Sequence, residues 1–101
     1  MKQFLISYQF TYGTPDDWHA SIREFIAHIQ SDPELHGKIS YRCMKSANSN
    51  WYYHLACPQD EAVVKVLETR EWFRQYQEKT KQVAGGTLTV TPLEVIAETT
   101  K

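Results

Sequence analysis

The 101-residue chain is 42% hydrophobic and 23% charged with a formal net charge of -1, the balance of one globular domain spanning residues 1–101. It lacks the basic excess needed to neutralise a phosphate backbone, so nucleic acid is excluded as a partner class. No stretch approaches the roughly 18 apolar residues of a membrane span and the opening Met1-Lys2-Gln3-Phe4-Leu5-Ile6-Ser7 is too short for a signal peptide, so the expectation is a cytoplasmic protein without a membrane partner.

Gln3 to Thr11 alternates, with Phe4, Ile6, Tyr8 and Phe10 on one face and Leu5, Ser7, Gln9 and Thr11 on the other, the pattern of a first strand. Tyr12-Gly13 turns the chain, and Thr14-Pro15-Asp16-Asp17 is a helix start: a capping hydroxyl, proline at the first helical position and acidic residues facing the positive end of the dipole. Trp18, Ile22, Phe25, Ile26 and Ile29 fall on one helical face. Pro33 disfavours helical geometry at Asp32 and stops the helix.

Lys38 to Lys45 alternates again, Ile39, Tyr41 and Cys43 against Ser40, Arg42 and Met44. The polar turn Ala47-Asn48-Ser49-Asn50 folds this second strand antiparallel onto the third, Trp51-Tyr52-Tyr53-His54-Leu55-Ala56-Cys57. Alternation there suggests that Trp51, Tyr53, Leu55 and Cys57 face the helices, and that Tyr52 and His54 face away from them. A second helix opens at Asp60-Glu61, carries Ala62, Val63, Val66 and Leu67 inward, weakens at Thr69-Arg70 and resumes from Glu71 to Val83. Gly85-Gly86 ends it, and Thr87 to Thr99 is a last strand in which Pro92 marks an edge, bulge or bend.

The order β-α-β-β-α-β is the split βαβ, ferredoxin-like arrangement, an α+β fold with an antiparallel four-stranded sheet and helices on one face. Two helices cover only one side of such a sheet. Leu5, Met44, Tyr52 and His54, joined by Leu93 and Val95, would form an apolar patch on the other side, for which a second copy across a two-fold axis is the simplest cover. The expected assembly is a homodimer through the helix-free sheet face.

Six tyrosines and three tryptophans suffice either for an aromatic core or for a pocket. Tyr8, Trp18, Tyr41, Tyr53, Trp72 and Tyr76 are the candidate ligand-binding residues for a small aromatic molecule. His54 is the one candidate acid-base catalyst, since imidazole titrates near neutral pH; as a strand histidine it serves equally well as a hydrogen-bonded interface residue. His19, His28 and His36 have no carboxylate or thiol at ligand spacing, and Cys43 and Cys57 lack metal or disulfide spacing, so no metal is expected and both cysteines read as reduced thiols.

In element order and length nearly the whole chain resembles the dimeric α+β barrel superfamily, and within it the antibiotic-biosynthesis monooxygenases. The local match lies in Asp60-Glu61-Ala62-Val63 through Leu67-Glu68-Thr69-Arg70-Glu71-Trp72-Phe73, a short helix, a break and a second helix with an aromatic pair. The resemblance implies a cofactor-independent enzyme of bacterial secondary metabolism acting on a polyketide-like or pyrrole-like aromatic. The chain departs from the family at Leu67 and Trp72, where histidines are usual, and at Cys57, where a tryptophan is common. Those departures bring forward a second expectation, a non-catalytic accessory protein sheltering a reactive intermediate in a pigment pathway such as prodigiosin biosynthesis. A third is a stress or housekeeping protein of the same fold.

Overall fold

The computed structural model describes residues 2–100. Strand β1 (Lys2–Gln9) leads into helix α1 (Pro15–Ser31), whose Thr14 hydroxyl accepts a hydrogen bond from the Asp17 amide at 3.3 Å. The helix buries Trp18, Ile22, Phe25 and Ile29, the face that its periodicity marks out. Strands β2 (Ile39–Lys45) and β3 (Trp51–Pro58) form the hairpin.

The second helical stretch is two helices, α2 (Glu61–Glu68) and α3 (Glu71–Ala84). Asp60 caps α2 by accepting from the Val63 amide at 3.0 Å. At the joint the Arg70 guanidinium reaches back to the segment after α1, bonding Asp32 and Glu34 at 2.8 Å each. This fork holds the Asp32 carboxyl below the usual carboxylate range. Gly85, with φ 56°, ends α3 in the left-handed region; a Cβ there would collide with the Thr11 side chain.

All strand pairs are antiparallel, in the order β2-β3-β1-β4, where β4 is Thr89–Glu94. The helices pack on one face, completing the expected α+β ferredoxin-like fold. The last strand is shorter than the alternation of Thr87 to Thr99 suggests. Glu94 pairs with Lys2 at the start of β1, and the described ladder between the two strands ends there. Pro92 sits opposite Phe4 on this edge, and every residue of β4 is exposed.

The alternation reading assigns the third strand to the wrong faces. Directly opposed residues share a face, and Ile6 lies opposite His54, Tyr8 opposite Tyr52 and Cys43 opposite His54. Tyr52 and His54 therefore point into the helix-covered core, 2% and 0% exposed, while Trp51 and Tyr53, each 37% exposed, lie on the helix-free side. The physical reason is polar pairing: hydroxyls and ring nitrogens that satisfy one another can be buried like hydrocarbon. The helix-free face carries Leu5 opposite Leu55, Met44 opposite Tyr53, and Leu93 opposite Gln3. Cys43 and Cys57 project from opposite faces and are free thiols; burial raises the Cys43 pKa to about 12.

Candidate functional site

His54 stands in the middle of β3 with aromatic residues from four other elements around it. Its Nε2 is 2.8 Å from the Tyr8 hydroxyl of β1, which also accepts the Trp18 indole N–H of α1 at 2.7 Å. Its Nδ1 meets the hydroxyls of Tyr41 from β2 at 2.5 Å and of Tyr76 from α3 at 3.1 Å. Those two hydroxyls are 3.0 Å apart. The rings lock the cluster: Tyr76 lies parallel to Phe25 at a centroid distance of 3.9 Å and to Trp18 at 5.7 Å, and Tyr8 stacks on Tyr52 at 5.4 Å. Tyr52 is itself tied to α1 through His19 Nε2 at 2.6 Å.

Burial penalises charge throughout this cluster. It lowers the His54 pKa to about 4, so the imidazole is neutral at pH 7. It raises the pKa of Tyr8, Tyr41 and Tyr76 well above the ordinary phenol range, so all three keep their protons. The arrangement can pass or present protons without holding a charge.

A cavity of about 410 Å³ opens beside the cluster. Phe4, Ile6, Ala56 and Val90 of the sheet form its floor; Phe25 and Ile29 of α1, Leu67 of α2 and Phe73 of α3 wall it. Tyr41, His54 and Tyr76 supply the polar groups at its buried end. Glu68, Gln77 and Lys81 line it near solvent, where Val90 is 55% exposed because no helix covers β4. The interior is thus an apolar slot with one small, uncharged polar terminus.

Of the six aromatic residues singled out in the sequence, Tyr41 and Tyr76 line the cavity. Tyr8 and Trp18 stand one layer behind the lining residues, Tyr8 against His54 and Trp18 against Tyr8 and Tyr76. Tyr53 lies on the opposite side of the sheet. Trp72 stacks on His28 at 5.0 Å, beside a shallow groove between α1 and α3. The apolar wall residues Phe4, Ile6, Ile29, Leu67 and Phe73 were not singled out as site residues. Sequence marks them only as core-facing, and a lined void differs from a filled core by side-chain volumes that no periodicity reports. Among the described residues no group of three His, Cys, Asp or Glu side chains could hold a metal ion, and no helix is long and apolar enough to cross a membrane.

Neither family models nor curated protein sequences match this chain. Solved structures do. SnoaB from Streptomyces nogalater, described as a cofactor-independent oxygenase, superimposes with a TM-score of 0.77 over 96% of this chain and 94% of its own, at 11% identity. A structure described as an antibiotic biosynthesis monooxygenase gives 0.66 over 96% and 100%, at 10% identity. PA3566 from Pseudomonas aeruginosa gives 0.73 over 95% and 94%, at 11% identity. The chain therefore has the fold of the antibiotic-biosynthesis-monooxygenase-like proteins, a four-stranded antiparallel sheet covered on one face by helices.

Proposed function

We propose that this chain binds a small, flat, mostly apolar aromatic molecule in the cavity beside His54 and acts on it as a cofactor-independent, monooxygenase-like enzyme of bacterial secondary metabolism. The observation that carries the reading is the cavity itself: about 410 Å³, within the range of roughly 300–1,000 Å³ typical of small-molecule sites, with apolar walls and a few convergent polar groups. SnoaB, of the same fold, is described as a cofactor-independent oxygenase, which supports the reaction class. In such a reaction an electron-rich substrate supplies all the electrons. One oxygen atom of O₂ enters a ring carbon and the other leaves as water with two substrate hydrogens. The protein's share is to bind, to orient, to exclude water and to steady oxygen-centred charge, and His54 acts through Tyr41 and Tyr76 as the proton-handling group.

A second reading is favoured by a specific observation. Both ring nitrogens of His54 already have partners and burial keeps it neutral, so the described residues place no strong base at the buried end of the cavity. A protein built this way suits an accessory role, sheltering a polyketide-like or pyrrole-like intermediate without turning it over. Assays of O₂ consumption with aromatic quinols and pyrroles separate the two. The enzyme reading expects one O₂ consumed per substrate with water as the by-product; binding without O₂ uptake across the panel overturns it in favour of the accessory role.

The helix-free face, with Leu5, Met44, Trp51, Tyr53 and Leu93, is the proposed homodimer surface. Met44, Trp51, Tyr53 and Leu93 are exposed there on one side of the sheet around a half-buried Leu5. A monomer at micromolar concentration by sedimentation velocity would overturn this assignment.

A further inference from the structure

The hydrogen bonds around His54 have a direction, which follows from counting protons. The indole N–H of Trp18 can only donate, so it occupies Tyr8 as an acceptor and cannot take the Tyr8 proton. Tyr8 is 0% exposed, and among the described residues its hydroxyl meets only Trp18 Nε1 and His54 Nε2. The Tyr8 proton must therefore go to Nε2, because the alternative strands a buried donor and forfeits its full solvation. A neutral imidazole that accepts at Nε2 carries its proton on Nδ1.

On the far side of the ring, three protons now face two oxygens. Nδ1–H, Tyr41 O–H and Tyr76 O–H lie within 3.1 Å of one another's heavy atoms, and the only acceptors among them are the two phenol oxygens. Nδ1–H bonds one phenol and that phenol bonds the other. One phenolic proton is left without an acceptor in the cluster, whichever phenol comes last. Both phenols line the cavity.

We propose that Tyr8 and Trp18 are positioning residues that fix His54 as the Nδ1–H tautomer, so that the buried end of the cavity presents one hydrogen-bond donor and selects a neutral ligand with an accepting oxygen, such as an aromatic ketone. A carboxylate also accepts, but among the described residues no cation stands at this end to offset its desolvation; Lys81 sits at the exposed mouth beside Glu78. The proposal rests on reading the cavity as a binding site, and it adds the polarity of the group recognised there.

The test uses the wild-type chain first. In ¹⁵N NMR of His54, Nδ1 is expected to be the protonated nitrogen and Nε2 the unprotonated one; the reverse pattern overturns the proposal without any ligand. By isothermal titration, 1-tetralone is expected to bind about five- to ten-fold more tightly than its oxygen-free counterpart tetralin, the worth of one hydrogen bond. Equal affinities overturn the donor while leaving the cavity reading in place. If neither compound binds, the cavity reading falls and the proposal with it. In Tyr8→Phe, checked for a folded spectrum, the two tautomers are expected to mix and the preference for the ketone to shrink; an unchanged tautomer and preference would show that Tyr8 does not set the direction.

Discussion

Adjacent residues of β3 live in different worlds. Tyr52 and His54 are buried under the helices with every polar atom bonded to another ring, while Trp51 and Tyr53 stand half-exposed on the far face. The two sets are similar in size and aromatic character, so hydrophobicity does not sort them. Hydrogen-bond partners do: the helix side offers indole, imidazole and phenol groups at bonding distance, and the other side offers solvent or a second subunit. A ring-rich strand thus sends inward the rings whose polar atoms can be satisfied there.

The sharpest way to break this contrast is to truncate neighbours. Tyr52→Ala removes a ring stacked on Tyr8 and is expected to cost about 3–5 kcal/mol in denaturant unfolding. Tyr53→Ala should cost less than about 1 kcal/mol in monomer stability; comparable losses would mean that the two faces are equally packed. Acid probes the same difference. His54 has its pKa lowered from 6.5 to about 4 by burial, so between those values the unfolded chain binds a proton that the native state refuses. Stability is then complete above pH 6.5 and falls as the pH drops toward 4, by roughly 3 kcal/mol in all. His54→Gln should remove most of that slope, which urea titrations at pH 7 and pH 4.5 can show.

On the other face the expected effect is on association. Tyr53→Asp should shift a dimer toward monomer in sedimentation while leaving 1-tetralone affinity unchanged, because the cavity lies across the sheet. Loss of ligand affinity together with the dimer would show that the two faces are coupled. A similarly small effect belongs to Asp60→Ala, which removes the cap of α2 at a cost of about 1 kcal/mol and is readable as a modest loss of thermal stability.

The fold was legible because its signals are local: the Thr14-Pro15 start, the Pro33 stop, the Gly85 terminator and the alternation of Phe4, Ile6 and Tyr8. The faces of β3 were legible too, though not from hydrophobicity. If Ala47-Asn48-Ser49-Asn50 is the turn, Ser46 must lie opposite Trp51, and the Ser46 amide does bond the Trp51 carbonyl at 2.9 Å. That pairing puts Trp51 with Met44 and Arg42, and His54 with Cys43 and Tyr41. Turn length carried the register, while residue polarity pointed the other way. The cluster itself was beyond the sequence: His54 draws partners from β1, β2 and α3, up to 46 positions away, and nothing in one strand announces them. Nor does alternation reveal that the wall residues enclose space rather than fill it.

The fork of Arg70 onto Asp32 and Glu34 bears on the kinetics of the molecule. Helix α2 has eight residues, too few to persist alone in water, so its order is borrowed from the burial of Val63 in the core, from the cap at Asp60 and from the ionic tie at its far end. Such a segment is the natural first unit to open, and opening it bares the Val64 and Leu67 side of the cavity. The tie is partly solvent-exposed and salt screens it. Amide hydrogen exchange in α2 should therefore quicken with ionic strength while β1 and β3 stay protected, and ligand on-rates should rise with it. In this view Arg70 sets how often the cavity breathes.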